Sequence, residues 1–388
     1  MRTLIPELWI VFVWVAIVFA DPARAEAVLP QKDDDVIETL QSVVGSRAEE
    51  RKLRQQWAAD PGNAVVASAL ARRYLEQARE QGEPRYAGRA LAVLQAWPDP
   101  DRAPDEVLLL IATVQQFLHD FKASSENLER LVKRSPRHGQ AWLTLATIRR
   151  VQGRYAESDQ ACTALAAVPA AGIYAQACSA ENQGLRGEFE RARQALQRLL
   201  ALPQLPGETQ AWLLTTLAET EARAGRNAEA ERAYRSALNA HSDDYAALSF
   251  ADFLIERSRP TDALKVLKKM PRTDAVVLRL AMAGARLQSP GSAQDAKEMH
   301  DRVAQANLRP QAQTLHAREQ AMFAWVVEGQ PKRALELALI NVATQREPID
   351  VLLLAQTARA AGRIDAVREA ERLRDQMGLK DVRLDALL

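Results

Sequence analysis

The chain has 388 residues, of which 47% are hydrophobic, 26% charged and only 5% aromatic. It can therefore bury a core, and Ala and Leu must supply most of it. Gly and Pro together make up 34 of the 388 residues, about 9%, which excludes collagen-like and low-complexity chains and argues against a loop-rich β fold. Lys+Arg 51 balances Asp+Glu 50, so the basic footprint of a general nucleic-acid binder is missing.

In chain order, the first expected element is an export signal. Arg2 supplies a short positive region, and Leu8 to Ala20 is a 13-residue run without charge, followed by Ala23-Arg24-Ala25. That order reads as a signal peptide over residues 1–25, cleaved before Glu26. The run is short of the roughly 20 apolar residues that span a bilayer. The alternative is an uncleaved N-terminal anchor facing the periplasm. Residues 26–63 read as a linker containing Pro30, then a capping helix over Asp34 to Trp57, its start favoured by Asp33-Asp34-Asp35. Ile37, Leu40, Val44 and Leu53 of that helix are expected to cover the open face of the first repeat.

From residue 64 onward the chain is repetitive. A turn residue recurs at Gly82, His119, Gly153, Gly187, Gly225, Ser258, Gly291, Gly329 and Gly362, at intervals of 33 to 38 that average 35. Seven and eight residues before the turn stand mostly apolar or small pairs, such as Leu145-Ala146, Leu217-Ala218, Ala283-Gly284 and Leu354-Ala355. About five residues after it stands a small residue: Ala87, Ser124, Ser158, Ala192, Ala230, Ala263, Ala296, Ala334 and, one early, Ala366. Small side chains let two helices cross closely, and a left-handed turn residue ends the first of them. Each unit is a helical hairpin with a face it cannot bury alone, so neighbours must stack. The first unit has about three extra residues in its turn, and the units around Gly291 and Gly329 are degenerate. At the end Gly378 stops the last helix, and Val382, Leu384, Leu387 and Leu388 in the tail 378–388 are expected to cap the last repeat.

This spacing resembles the tetratricopeptide repeat family. The unit from Ala211 to Ser242 carries Leu217, Ala218, Gly225, Ala230, Tyr234, Ala237 and Leu238 at that family's key positions, and another carries Trp142, Leu145, Ala146, Gly153 and Tyr155. The resemblance covers about residues 64–377. It implies an all-α, right-handed superhelical solenoid of about nine helix-turn-helix repeats. It also implies that the first helix of each hairpin lines a concave groove.

With the turn residue counted as position 15, position 2 holds Tyr174, Trp212 and Tyr245 in three consecutive units, and position 9 holds Glu181, Glu219 and Asp252. An aromatic row beside an acidic row is what a peptide-binding groove uses, and it favours a partner with basic residues. The alternative is that the aromatics cover repeat junctions and the acids are solvated. Arg150 and Arg223 border the groove and blunt its acidity. Cys162 and Cys178, 16 apart on helices expected to pack antiparallel, are a candidate disulfide in an exported protein; the alternative is two small buried residues standing in for Ala.

Catalytic signatures are absent: the sequence has no phosphate-binding loop, nucleophile elbow or paired zinc-ligand spacing. His119, His138, His241, His300 and His316 fall in different repeats, and His316 with Glu319 lacks a third ligand. The expectation is a periplasmic, non-catalytic adaptor for a protein or peptide partner, with no cofactor, no metal and no nucleic acid, and not an integral membrane protein after cleavage. The competing readings are an enzyme or small-molecule binder using the groove, and a structural subunit of an envelope assembly or export machine.

Overall fold

In a computed structural model, residues 46–81, 84–288, 292–308 and 316–388 are described. The expected signal peptide, the linker and the first part of the capping helix lie outside them, together with Ile37, Leu40, Val44, Gly82 and Gly291. The chain divides into two compact units, Met1–Glu49 and Glu50–Leu388. Only the first residues of α1 are described in the former.

Twenty helices and no strand occur among the described residues. They are α1 (Ser46–Ala59), α2 (Ala64–Gln81), α3 (Pro84–Leu94), α4 (Asp105–Phe117), α5 (Phe121–Arg134), α6 (Gly139–Val151), α7 (Tyr155–Ala166), α8 (Gly172–Leu185), α9 (Phe189–Leu200), α10 (Gly207–Arg223), α11 (Asn227–Ala240), α12 (Asp244–Glu256), α13 (Pro260–Leu267), α14 (Asp274–Leu287), α15 (Ser292–Ala306), α16 (Ala317–Val326), α17 (Pro331–Val342), α18 (Pro348–Ala360), α19 (Ile364–Met377) and α20 (Val382–Asp385). From α2 to α19 they pair consecutively into hairpins, and each hairpin packs on the next. The protein is an all-α solenoid of tetratricopeptide-like hairpins.

The turns explain the hairpins. His119, Gly153, Gly187, Gly225, Ser258, Gly329 and Gly362 all have φ between 57° and 85°, the left-handed conformation that ends a helix and lets the chain reverse. The small residues sit where the two helices cross: Ala87, Ser124, Ser158, Ala192, Ala230, Ala263 and Ala334 are fully buried. Where Ser replaces Ala, its hydroxyl is satisfied at the crossing. Ser124 Oγ donates to the Ala112 carbonyl at 2.6 Å and Ser158 Oγ to the Ala146 carbonyl at 2.9 Å.

The enlarged first turn expected around Gly82 lies outside the described residues, and the long first interval includes the ten-residue connection 95–104 between α3 and α4. One turn expectation needs correction. In the seventh hairpin the helix already stops at Gln288, left-handed at φ 51°, three residues before Gly291. Gly284 keeps the crossing there, because an added Cβ would lie 2.5 Å from the Ser292 Cβ. At the N-terminal side, Leu53 and Trp57 of α1 pack on the core of the first repeats.

The C-terminal end does more than cap the last repeat. Leu384 is buried and α20 packs on α18. The same segment also returns to the turns of earlier repeats. Gln345 Nε2 lies 3.1 Å from His119 Nδ1. The Arg346 amide donates to the Val151 carbonyl at 2.6 Å, and the Lys380 amide to the Leu185 carbonyl at 2.9 Å. Both acceptors are last-turn carbonyls that a helix leaves without an internal partner. Met377 lies against Gly153, Lys380 against Gly187 and Val382 against Gly225, and Arg383 Nη1 reaches Glu256 Oε2 at 2.8 Å. From Met377 to Val382 the chain thus advances one repeat every two to three residues. An extended chain covers about 3.3 Å per residue, which matches helix spacings of about 8–10 Å. Along this seam two turn glycines are also contact residues. A Cβ on Gly187 would lie 2.7 Å from Lys380 Cγ, and one on Gly153 would lie 2.6 Å from Met377 Sδ.

Candidate functional site

The six residues of the expected groove sit on α8, α10 and α12, one aromatic and one acid on each. Tyr174 and Trp212 meet as a stacked pair, with ring centroids 5.9 Å apart and planes inclined by 30°. Trp212 is half-buried against the core, whereas Tyr174 is 40% exposed. Tyr245 does not continue the stack. It is 61% exposed, and its hydroxyl donates to Glu219 Oε1 at 2.8 Å.

The three acids differ in circumstance. Glu181 pairs with Arg150 at 2.9 Å, one repeat earlier. Arg150 also donates to Thr147 Oγ1 at 3.2 Å. Asp252 pairs with Arg279 at 2.6 Å. Glu219 has hydroxyl partners instead: Tyr245, and Ser249 Oγ at 3.1 Å. Burial pushes the Glu219 carboxyl above the usual glutamate range, against the pull of the Arg223 guanidinium and the two hydroxyls. The acidic row therefore exists in sequence, but two of its three charges are neutralised by arginines.

A further carboxylate enters from far along the chain. Burial raises Tyr155, at the start of α7, well above an ordinary phenol, and the Glu347 charge adds to that shift. Tyr245 is raised chiefly by the Glu219 charge, with Glu347 contributing. Glu347 thus acts on both the third and the sixth repeat. It belongs to the N-terminal cap of α18, where it and Asp350 form a capping box. Arg318 holds that turn, donating to Asp350 at 2.6 and 2.8 Å, to Gln345 at 3.0 Å and to Glu347.

The Cys162 and Cys178 sulfurs are 2.00 Å apart in a disulfide joining α7 to α8, with Cα atoms at 5.7 Å and both side chains buried. Among the described residues no group of three or more His, Cys, Asp or Glu is arranged to hold a metal ion. His138 has a local role, its Nδ1 accepting from the Ala141 amide at the start of α6.

No protein-family model matches the sequence, and no curated protein is similar to it. Similar solved structures exist. The type IV pilus biogenesis factor PilW is 18% identical over 54% of this chain and 92% of its own, with a TM-score of 0.40. A human IFIT1 dimer with m7Gppp-AAAA is 14% identical over 86% and 77%, with a TM-score of 0.47. A tetratricopeptide repeat protein from Parabacteroides merdae is 16% identical over 73% and 97%, with a TM-score of 0.32. Likenesses this distant concern architecture alone.

Helices α8, α10 and α12 thus offer two exposed tyrosines, a half-buried tryptophan stacked on one of them, and one carboxylate held by hydroxyls. Such a surface can bind.

Proposed function

We propose that this protein is an exported, non-catalytic scaffold that receives a peptide or protein segment of an envelope partner on the first helices α8, α10 and α12. The observation that carries the reading is the exposed aromatic row, with Tyr174 stacked on Trp212 and Tyr245 standing 61% exposed in the next repeat. Aromatic faces of this kind anchor a bound segment by giving up water, commonly for about 2 kcal/mol or more each. Any preference for basic side chains rests on Glu219, since Glu181 and Asp252 already have arginine partners. The export reading rests on residues 1–25. Among the described residues no helix is long and apolar enough to cross a membrane.

The test is a pull-down from the native envelope followed by titration of the captured partner. Tyr174→Ala, Trp212→Ala and Tyr245→Ala are expected to weaken binding by roughly tenfold or more each, with helical content unchanged. Parent-like binding by all three moves recognition off this surface. N-terminal sequencing of the mature chain tests export separately, the expected first residue being Glu26.

A further inference from the structure

A cavity of about 400 Å³ opens on the seam, away from the aromatic row. Three chain segments line it: His119, Asp120, Phe121 and Lys122 from the second hairpin, Gln152 and Arg154 from the third, and Ala343, Thr344 and Arg346 from the connection between α17 and α18. Its polar lining is dominated by donors. Three cations, Lys122, Arg154 and Arg346, face one carboxylate, Asp120. Asp120 Oδ1 accepts from the Ala123 amide as the cap of α5, and its charge offsets one of the three cations. Arg154 is also committed, donating to Glu157 Oε1 at 2.7 Å and to Gln152 Oε1 at 3.2 Å.

Lys122 and Arg346 are different. Among the described residues neither forms a direct ion pair with a carboxylate, although the Arg346 charge helps to lower Glu369, and Arg346 donates through its Nε to the Val342 carbonyl at 2.9 Å. Two cations without a direct ion pair, from segments far apart in sequence, thus border one cavity, beside the Thr344 hydroxyl, which rests at 3.4 Å from the Asn341 carbonyl. Like charges brought together by folding repel, and a bound anion removes that cost. Guanidinium and ammonium donors are also the side chains that suit phosphate oxygens.

We propose that the seam cavity is a binding site for a soluble phosphate-type oxyanion carrying at least two negative charges, held by Lys122 and Arg346 with Thr344 donating. The lining carries three cations against one carboxylate, an excess that suits a phosphate or pyrophosphate better than a single carboxylate. A ligand bound there touches the second repeat and the α17–α18 connection at once, so it tightens the return of the C-terminal end onto the early repeats.

The experiment uses the full mature chain and inorganic pyrophosphate as the probe. Thermal unfolding is followed against pyrophosphate, with sodium chloride at matched ionic strength as reference. The expected result is a saturable rise of Tm beyond the chloride curve. Lys122→Gln, a change at an exposed side chain, is expected to weaken the half-saturation point several-fold, and Lys122→Gln with Arg346→Gln to abolish the response. A parent that responds to pyrophosphate no more than to chloride overturns the proposal. So does a folded Lys122→Gln variant that responds as the parent does. Co-sedimentation with phosphatidylglycerol vesicles separates a lipid-borne phosphate from a soluble one. Pelleting that needs Lys122, without any pyrophosphate response, overturns the soluble ligand.

Discussion

Arg383 and Glu256 are 127 residues apart in the chain and form an ion pair of 2.8 Å. The same guanidinium is bound by Asp381, with Nε to Oδ1 at 2.9 Å and Nη2 to Oδ2 at 2.6 Å, and the Asp381 side chain is fully buried. One arginine therefore satisfies a buried carboxylate in the tail and fastens the tail to the sixth repeat.

Removing that arginine strands Asp381. Arg383→Ala is expected to cost roughly 3 kcal/mol, because a buried charge loses its partner. Glu256→Gln leaves Asp381 compensated and should cost about 1 kcal/mol at most. Urea denaturation of the two variants against the parent measures the difference, and equal effects would show that the tail is not held through Asp381.

The seam glycines provide a second test. Gly187 has φ +85°, and an added Cβ meets Lys380. Gly187→Ala therefore suffers both backbone strain, about 1–2 kcal/mol, and a contact that displaces the tail. Gly362 also has a positive φ, but nothing lies within 4 Å of its added Cβ. Gly362→Ala should show the strain alone. Small-angle scattering should report a larger radius of gyration for Gly187→Ala and no increase for Gly362→Ala.

The disulfide closes a loop with about 15 intervening residues. In the chain-entropy picture that is worth roughly 3 kcal/mol. Mass spectrometry of the non-reduced exported protein is expected to find no alkylatable thiol, and Cys162→Ala with Cys178→Ala should lower stability by that order. Two free thiols in the native protein would refute the bond.

Glu219 sets a pH dependence whose sign is definite. Its folded-state pKa is raised by burial above the ordinary 4.5, so the folded state holds this proton more tightly than the unfolded chain. The resulting stability is fully present below about pH 4.5 and is lost as pH rises through the folded-state value. Glu219→Gln removes the penalty of ionisation. The variant should therefore be more stable than the parent at about pH 7, with the gap closing towards about pH 4. Denaturation curves at the two pH values decide it.

The hairpins were legible because their determinants are local. A left-handed turn residue and a small crossing residue five places on recur in the chain, and the structure uses them where the spacing places them at Gly153, Ser158, Gly225 and Ala230. Tyr174 and Trp212 occupy the same position of adjacent repeats, and their rings stack. The seventh hairpin misled because Gln288, a residue with no special turn preference, takes the left-handed conformation. Other relations depend on contacts between repeats that are not neighbours. The second role of Gly187 and the bond from Arg346 to Val151 depend on how tightly the stack curves. Curvature is a sum of small rotations at many interfaces, and no single residue encodes it.

The contact between Gln345 and His119 spans 226 residues, and it changes how such a molecule must fold. An ordinary stack grows from any hairpin outward and frays from its ends, because each repeat knows only its neighbours. Closing a flexible loop of that length would cost about 5 kcal/mol, so the contact cannot be an early event. It becomes favourable once the intervening hairpins have formed and set the arc that carries the two ends together. The seam is then the last structure made on the folding path and the first surrendered on the way out. Until it gives way, the final hairpin, the natural fraying point of an open stack, stays tied to the middle of the protein.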